Sequence, residues 1–433
     1  MDSRIHKRRA TLSLMLAMAS ALLLAMVTLM GTSPARAEND AETEAYDPGL
    51  VAWPPNLRSP YATGDWWGGR TWLAERGISI YLDYYGEVFW NTRGGIRTTD
   101  GGEYQGLLDL AVEFSTESAG LWKGGYLFFL FQHKHGEGIT LEYVGDFQVL
   151  SNMDAFNFTQ ISELWYRQSF FDDRLWIKVG KQEANADFAG VEFGGEFINS
   201  SVGFSPTIPL PSYPDQDLGI ALGIAPVPWF SVNLGAYNGN PDGSRSFKGA
   251  FLDLAGPMIM VEPALHYGLL SGRHGHIRAG GWFNGTDVDS PDENDPDLET
   301  HGEAYGWYLT WDHELWRERP EDGEDAQWVG VFGQYGWAPP DRSAAEHYIG
   351  GGIRWAGMIP RRDEDVAGLG VFHVRFSDEA NLEKDTETIV EAFYVVRLFG
   401  CLFLEPDLQY IINPGGTANP GALAVGLRFG VSM

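Results

Sequence analysis

The chain has 433 residues, 44% of them apolar, and a formal net charge of −29 at pH 7. So acidic a chain repels the phosphates of nucleic acid, and no basic patch offsets that repulsion, so nucleic acid is not an expected partner. The single cysteine excludes an internal disulfide, so the fold must depend on hydrogen bonding and burial.

The first 37 residues have the layout of a secretory signal peptide. Basic side chains precede an apolar run from about residue 12 to 30, and Ala35-Arg36-Ala37 forms an A-x-A cleavage site. The alternative is an uncleaved membrane anchor, but the small residues at the end of the run suit a peptidase better. Residues 1–37 are therefore predicted to direct Sec-type export and to be removed.

Residues 38–76 form an extension before the first predicted strand. Within "GDWWGGRTWLAERG", the residues Trp66, Trp72 and Leu73 have helical spacing, and Gly77 follows as a stop signal. This spacing favours a short helix at the periplasmic rim. A sugar site at the same tryptophans is the alternative interpretation.

The stretch "GISIYLDYYGEVFWN", residues 77–91, alternates apolar and polar side chains with a period of two. Such alternation places successive side chains on opposite faces of an extended strand. Leu82 and Val88 lie on the apolar face, whereas Asp83 and Glu87 lie on the polar face. The same kind of alternation recurs along the rest of the chain, and about sixteen segments of strand length can be counted.

The length of a link depends on whether the predicted strand before it is odd- or even-numbered. Very short links follow predicted strands four, six and fourteen, at residues 170–173, 226–228 and 399–400. Long polar or acidic links follow odd-numbered strands. Tight turns at one rim and long loops at the other are typical of outer-membrane barrels. Residues 77–433 are therefore predicted to form an all-β, transmembrane, up-and-down antiparallel barrel of about sixteen strands.

The predicted inward positions carry many charges that a dry core would not tolerate. A barrel of about sixteen strands encloses an aqueous channel, so these side chains are expected to line water. They are Asp83, Glu87, Asp109, Glu113, Glu163, Arg167, Lys178, Glu262, Arg278, Glu391, Arg397, Glu405, Asp407 and Arg428. On the first strand, replacing Tyr81, Asp83, Tyr85 or Glu87 by Ala should therefore leave stability nearly unchanged.

Two of the long links carry specific expectations. The longest, from about Glu183 to Asp217, contains Phe188, Phe193, Phe197 and Phe204, and it is expected to fold inward, pack against the wall and narrow the pore. The stretch "DVDSPDENDPD", residues 287–297, crowds oxygen ligands but matches no EF-hand spacing. An acidic solvated loop is favoured there, and calcium binding is the alternative.

Several ordered motifs resemble the carbohydrate-selective porin family (OprB type) of Gram-negative outer membranes. They are "GDWWGGRTWLAERGI" with "LDYYGEV", "ELWYRQSFFDDRLWIKVGKQEANADF", "GAYNGNPDG" and "LEPDLQYIINPGG". The resemblance implies a sixteen-stranded porin that passes monosaccharides or small oligosaccharides by passive diffusion. It also implies outer-membrane lipid and the barrel-assembly machinery as partners, with the protein a monomer or a trimer. The chain departs from such barrels in ending "RFGVSM" rather than in an aromatic residue.

A sugar conduit needs carboxylates, Arg and amides to replace water hydrogen bonds, and aromatic rings to stack on C–H faces. Binding must also stay weak, because a tightly held solute would not leave the pore. The pore-lining candidates for sugar contact are Tyr81, Asp83, Tyr85, Glu87, Asp109, Glu113, Glu163, Trp165, Arg167, Lys178, Arg397 and Arg428.

Two other function classes compete with the sugar-selective channel. A general or cation-preferring diffusion porin is the nearer alternative, since the same charges could pair and keep a pore wet. A sugar-cleaving enzyme would need two close carboxylates, but Asp83 and Glu87 lie about 13 Å apart on one strand. No catalytic motif, zinc spacing or cofactor motif is recognised, so no enzyme activity, metal or cofactor is expected.

Overall fold

The computed structural model describes residues 59–239, 250, 252, 254–269, 273–292, 300–319 and 327–433. The predicted signal peptide, the first part of the extension, and residues 293–297 of the acidic stretch lie outside these ranges. The strands are β1 (Ile78–Arg93), β2 (Gly102–Ser115), β3 (Gly125–Gly136), β4 (Phe158–Phe170), β5 (Leu175–Gln182), β6 (Asp217–Val227), β7 (Phe230–Asn238), β8 (Pro257–Leu269), β9 (Arg273–Asn284), β10 (Val288–Asp289), β11 (Thr300–His301), β12 (Ala304–Arg317), β13 (Trp328–Trp337), β14 (Ala345–Ala356), β15 (Val366–Phe376), β16 (Thr386–Phe399), β17 (Leu402–Ile412) and β18 (Ala422–Ser432).

Sixteen of these strands close into one antiparallel barrel, as predicted. Each strand pairs with its neighbours in the chain, and β9 pairs with β12 across the small β10–β11 hairpin. The first and last strands close the seam in a register that places Glu87 opposite Arg428. Closure leaves no unpaired edge, so the backbone polar groups of every barrel strand are satisfied without water.

Short turns and long links fall at opposite rims, as the sequence predicted. Residues 171–174, 228–229 and 400–401 join β4 to β5, β6 to β7, and β16 to β17. The long links 137–157 and 183–216 follow β3 and β5. The parity rule is not strict, because only residues 338–344 separate β13 from β14. By the usual layout of such barrels, the rim with the long links is extracellular.

A short helix, Gly69–Ala74, precedes β1 and lies against the β1–β18 seam. Arg70 fixes it there: its guanidinium lies 4.0 Å from the Tyr61 ring centroid and 4.1 Å from that of Trp66. The same group donates to the carbonyl oxygens of Ile80, at 2.6 Å, and Met433. Among the described residues, no helix is both long and apolar enough to cross a membrane.

The outer wall is apolar and the inner wall is polar. Exposed apolar side chains on the outer face include Val261, Leu369, Val371 and Leu408. On β1 the faces are those predicted, since Glu87 points inward to Gln105 and Arg428, whereas Trp90 is exposed outside. The interior is not an open tube, however, because buried aromatic and aliphatic side chains of two long links occupy part of it.

Candidate functional site

Two extracellular links fold into the barrel and reduce its interior. We call residues 183–216 the constriction loop and residues 137–157 the support loop. The two loops contact each other where the Asn152 backbone N–H donates to the Ile198 carbonyl at 2.7 Å. They therefore form one inward structure that covers one part of the wall and leaves another part open.

Phe197 of the constriction loop is the main hydrophobic anchor. Its ring packs edge-on against Phe332, Phe372 and Phe393, with centroid distances of 5.3, 5.6 and 4.8 Å. The wall makes room for it with glycine, since a Cβ on Gly370 would lie 2.7 Å from the ring. Wall and loop thus fit together as closely as a protein core.

The other three phenylalanines of the constriction loop also pack as the sequence predicted. Phe188 is buried beside Tyr237, and Phe193 lies 4.9 Å from the Trp328 ring centroid. Phe204 packs against the same cluster as Phe188. The inward position of the loop is therefore fixed by apolar contacts along its length.

Wall carboxylates hold the same loop by its backbone. Glu391 accepts from the N–H groups of Ile198 and Asn199, at 2.6 and 3.2 Å. Glu262 accepts from the Ala189 N–H at 2.8 Å, and Asp312 accepts from the Phe193 N–H, also at 2.8 Å. Such charge-assisted bonds are about twice as strong as neutral ones.

Glu387 does the same for the support loop. It accepts from the backbone N–H groups of Phe147, Gln148 and Gly415, at 2.8, 2.9 and 2.6 Å. The neighbouring Asp146 of that loop is buried, and this burial, reinforced by the charge of Glu387, raises the pKa of Asp146 well above its ordinary value. The loop position is thus favoured when Asp146 is protonated.

These contacts correct one expectation from the sequence. Several inward charges do not line water, because the inward loops cover them and supply partners. Glu87 is 1% exposed, and Glu391 is fully buried. Backbone N–H groups of the inward loops solvate wall carboxylates such as Glu391 in place of water. The inward charges found buried are Glu87, Glu163, Lys178, Glu262, Glu391, Glu405, Asp407 and Arg428.

The predicted site residues therefore fall into four groups. The first surrounds the barrel seam, where Arg428 donates to Glu87 through Nε at 2.8 Å and to Asn152 of the support loop at 2.7 Å. Gln105 also donates to Glu87, at 2.6 Å. These bonds join the first strand, the last strand and the support loop, so this group stabilises the loop and the seam.

The second group lies on β4 and β5. Glu163 accepts from the Trp165 indole at 2.9 Å and from the backbone N–H of Glu183 at 3.1 Å. Lys178 pairs with Asp187 of the constriction loop and lies 5.1 Å from the Trp165 ring centroid. Glu163 and Lys178 thus contact the constriction loop. Trp165, which contacts both of them, also lines a solvent-accessible cavity.

The third group is accessible from the periplasmic mouth. Trp165 and Arg167 line a cavity of about 850 Å³ together with Tyr126. Trp165 stacks on Phe128 with centroids 5.0 Å apart, and Arg167 lies 4.7 Å from the Trp176 ring centroid. This cavity offers aromatic faces and a cation to a solute entering or leaving.

The remaining candidates line the wall of β1, β2 and β16. Tyr81 approaches Glu113 at 3.4 Å, and Asp83 faces Asp109 directly across the β1–β2 pair. Asp109 also accepts from Gln132 at 3.0 Å. Tyr85 packs against the same buried cluster as Tyr213 of the constriction loop, and Arg397 is exposed 5.9 Å from the Phe403 ring centroid.

Sequence reasoning missed most of the residues around an interior cavity that we call the passage. A cavity of about 450 Å³ between the loops and the far wall is lined by Asn152, Asn185, Asp187, Asn233 and Arg278, among others. Of these, only Arg278 was expected inside. Asn233 occupies an inward position in the alternating pattern of β7, so that pattern could have identified it. Asn152 and Asn185 lie on loops, where alternation gives no signal.

A polar-lined sixteen-strand barrel narrowed by an inward loop is the architecture of a porin. The family model for "Carbohydrate-selective porin, OprB family" matches residues 99–433, and the chain belongs to that family. Family members are outer-membrane carbohydrate porins, so membership implies a channel rather than an enzyme.

Individual relatives agree with this assignment. Porin B of Pseudomonas aeruginosa is 24% identical over 424 residues, covering 87% of this chain and 92% of that protein. The high-pH structure of Pseudomonas putida OprB shares the fold with a TM-score of 0.78 and 21% identity, covering 87% of this chain and 99% of that one. The low-pH structure gives a TM-score of 0.57 and 18% identity over the same shares.

Proposed function

We propose that this carbohydrate porin passes neutral monosaccharides or small oligosaccharides passively and selectively across the outer membrane of a diderm bacterium. Export through the predicted signal peptide and insertion by the barrel-assembly machinery belong to the same proposal. Outer-membrane lipid would surround the barrel, and the protein would work as a monomer or a trimer.

The polar passage of about 450 Å³ is the observation that carries the proposal. The amides of Asn152, Asn185 and Asn233 both donate and accept, as sugar hydroxyls do. Arg278 adds one cation, and Asp187, Glu192 and Glu262 add carboxylates to the same lining. Such a lining offers both donors and acceptors that replace water around a neutral polyol.

Aromatic side chains flank the polar lining. Trp165 and Tyr126 border the periplasmic cavity, whereas Phe188 and Phe197 beside the passage are only 1% exposed. The C–H face of a sugar ring can pack on Trp165 and Tyr126 as the sugar enters or leaves, and its hydroxyls can contact the amides of the passage. Each contact is individually weak, as release requires.

The test is single-channel conductance in a planar bilayer with glucose, a disaccharide and a non-sugar polyol of similar size titrated in turn. Sugar should reduce the current at lower concentration than the polyol. Arg278→Gln should raise the half-blocking sugar concentration about fivefold to tenfold, since it removes charge-assisted bonds. Arg174→Gln, in the exposed turn between β4 and β5, is the matched control.

Equal block by sugars and polyol in the wild type would replace the proposal with a general diffusion pore. If sugars block at lower concentration than the polyol but Arg278→Gln does not change their block, the channel is sugar-selective and this passage is not the source of the selectivity.

A further inference from the structure

Polar side chains interrupt the lipid-facing wall at the extracellular ends of β13–β16. The strand register sets them in two rows. The rim row runs Trp337, His347, Arg375, Thr386, and the row two residues deeper runs Tyr335, Ile349, His373, Thr388. We call Tyr335, His347, His373, Arg375, Thr386 and Thr388 the rim patch.

Hydrogen bonds orient the histidines of the rim patch. His347 Nδ1 lies 2.8 Å from the Tyr335 hydroxyl, and His373 Nδ1 lies 2.7 Å from the Thr388 hydroxyl. A bond at one ring nitrogen fixes the ring and directs the other nitrogen elsewhere. For His373 that second nitrogen has no partner among the described residues, whereas for His347 it lies 3.5 Å from Glu346.

Arg375 is the cation of the rim patch. It is exposed, and no carboxylate of the described residues lies within ion-pair distance of it. An unpaired Arg is unusual in a chain with 59 acidic and 30 basic residues. Its direct cross-strand neighbours, His347 and Thr386, bring further donors to the same row.

The rim patch lies at the edge of the apolar band. Ile349 lies within its deeper row and Val371 and Leu369 lie below it, and all three are among the most exposed apolar side chains of the outer wall. Above it lie the extracellular links 338–344 and 377–385. A lipid whose chains cover Ile349 and Val371 would therefore place its headgroup against Arg375.

A similar arrangement recurs on β1–β4. There His135 lies 3.1 Å from the Tyr84 hydroxyl, Tyr84 contacts Tyr104 at 2.6 Å, and His133 bonds Thr159 at 2.7 Å. Tyr84 and His133 lie in one cross-strand row through Leu108, and Tyr104 and His135 lie close to the extracellular ends of β2 and β3. Paired imidazole and hydroxyl groups are thus a repeated feature of this border.

We infer that the rim patch binds the phosphate group of an anionic lipid in the outer leaflet. A guanidinium matches phosphate geometry bidentately, and imidazole and threonine hydroxyl groups add donors. The surrounding protein is acidic, so phosphate is attracted only where a local cation is uncompensated. The position at the apolar border selects a lipid phosphate over a free one.

The experiment is native mass spectrometry of the intact barrel in detergent micelles doped with bis-phosphorylated lipid A or with its dephosphorylated form. The wild type should retain the phosphorylated lipid, and Arg375→Gln should weaken retention about tenfold or more. Arg174→Gln, an exposed arginine at the opposite rim, should bind like the wild type. An unchanged heat-modifiable gel shift and conductance show that each variant is folded.

Three outcomes would overturn the inference. The first is equal retention by wild type and Arg375→Gln, and the second is equal retention of the phosphorylated and dephosphorylated lipids. The third is displacement of the lipid by inorganic phosphate at equal concentration, which would make the patch a phosphate site rather than a lipid site. None of these outcomes bears on sugar passage.

Discussion

Arg428 on the last strand donates through Nε to Glu87 on the first strand at 2.8 Å, which joins the barrel seam from inside. The same guanidinium donates to Ser151 and Asn152 of the support loop, at 3.1 and 2.7 Å. One ion pair therefore connects barrel closure to loop position.

Glu87→Ala should consequently destabilise the barrel, contrary to the expectation from the sequence that it would be silent. Removing one partner leaves Arg428 buried without its counter-charge, which costs about 3–5 kcal/mol. The temperature midpoint of the heat-modifiable gel shift measures this. Glu113→Ala, at the more exposed periplasmic end of the same wall, should shift the midpoint little, and equal shifts in both variants would contradict the assignment.

Features that depend on residues close together in the chain were predicted correctly from the sequence. Alternation along 77–91 correctly placed Glu87 inside, and link lengths correctly indicated an up-and-down barrel. The four phenylalanines of the longest link correctly indicated inward packing. These inferences concern residues close together in the chain.

The partners of the inward charges were beyond sequence reasoning. Glu391 is held by the backbone of Ile198 and Asn199, almost two hundred positions away in the chain. Backbone N–H groups are present at nearly every residue and leave no sequence signature. Only the folded positions of the loops show which wall carboxylates are covered and which line the passage.

Phe197→Ala should release the constriction loop. The substitution removes a ring packed against Phe332, Phe372 and Phe393, which typically costs about 3–5 kcal/mol. Single-channel conductance should rise and sugar block should weaken, because the loop no longer holds the passage narrow. Phe171→Ala, in an exposed turn, serves as the control. An inserted Phe197→Ala barrel with wild-type conductance and sugar block would show that this loop does not set the constriction.

Asp365 should make stability depend on acid pH. It accepts from the Arg362 guanidinium at 2.6 and 2.7 Å, the Tyr394 hydroxyl at 2.7 Å and the Arg397 backbone N–H at 3.0 Å. Burial acts to raise its pKa, but these bonds outweigh burial and hold the pKa below its ordinary value.

A lowered folded-state pKa means that Asp365 stabilises the fold above the unfolded-state pKa, near 3.9. This stabilisation is lost as pH falls through the folded-state pKa. Asp365→Asn should therefore cost about 2 kcal/mol at neutral pH and progressively less in acid. Gel-shift midpoints measured from pH 7 down to pH 3 check this, and a difference independent of pH would contradict it.

Glu192 should give the channel a cation preference. Most of the inward acidic residues are covered or paired, but the Glu192 side chain is 65% exposed and borders two of the interior cavities. Its charge therefore acts on the permeating ion directly. The reversal potential in a salt gradient should indicate cation selectivity, and Glu192→Gln should reduce it. Glu379→Gln, on an extracellular link, should change it less, and an anion preference in the wild type would refute the prediction.

Val371→Arg should damage insertion, whereas Arg375 on the same strand is tolerated naturally. Both side chains face outward on β15, but Val371 lies midway along Val366–Phe376 and Arg375 lies at the extracellular end. Four residues along a strand separate them by about 13 Å, enough to distinguish the hydrocarbon centre from the interface. Arginine costs about 2–4 kcal/mol on the lipid face at the midplane and close to nothing at the rim.

The heat-modifiable fraction recovered from membranes should fall for Val371→Arg and remain near wild type for Val371→Thr. Normal insertion of Val371→Arg would mean that this face of β15 is not covered by lipid, as it would be if another protomer packed there.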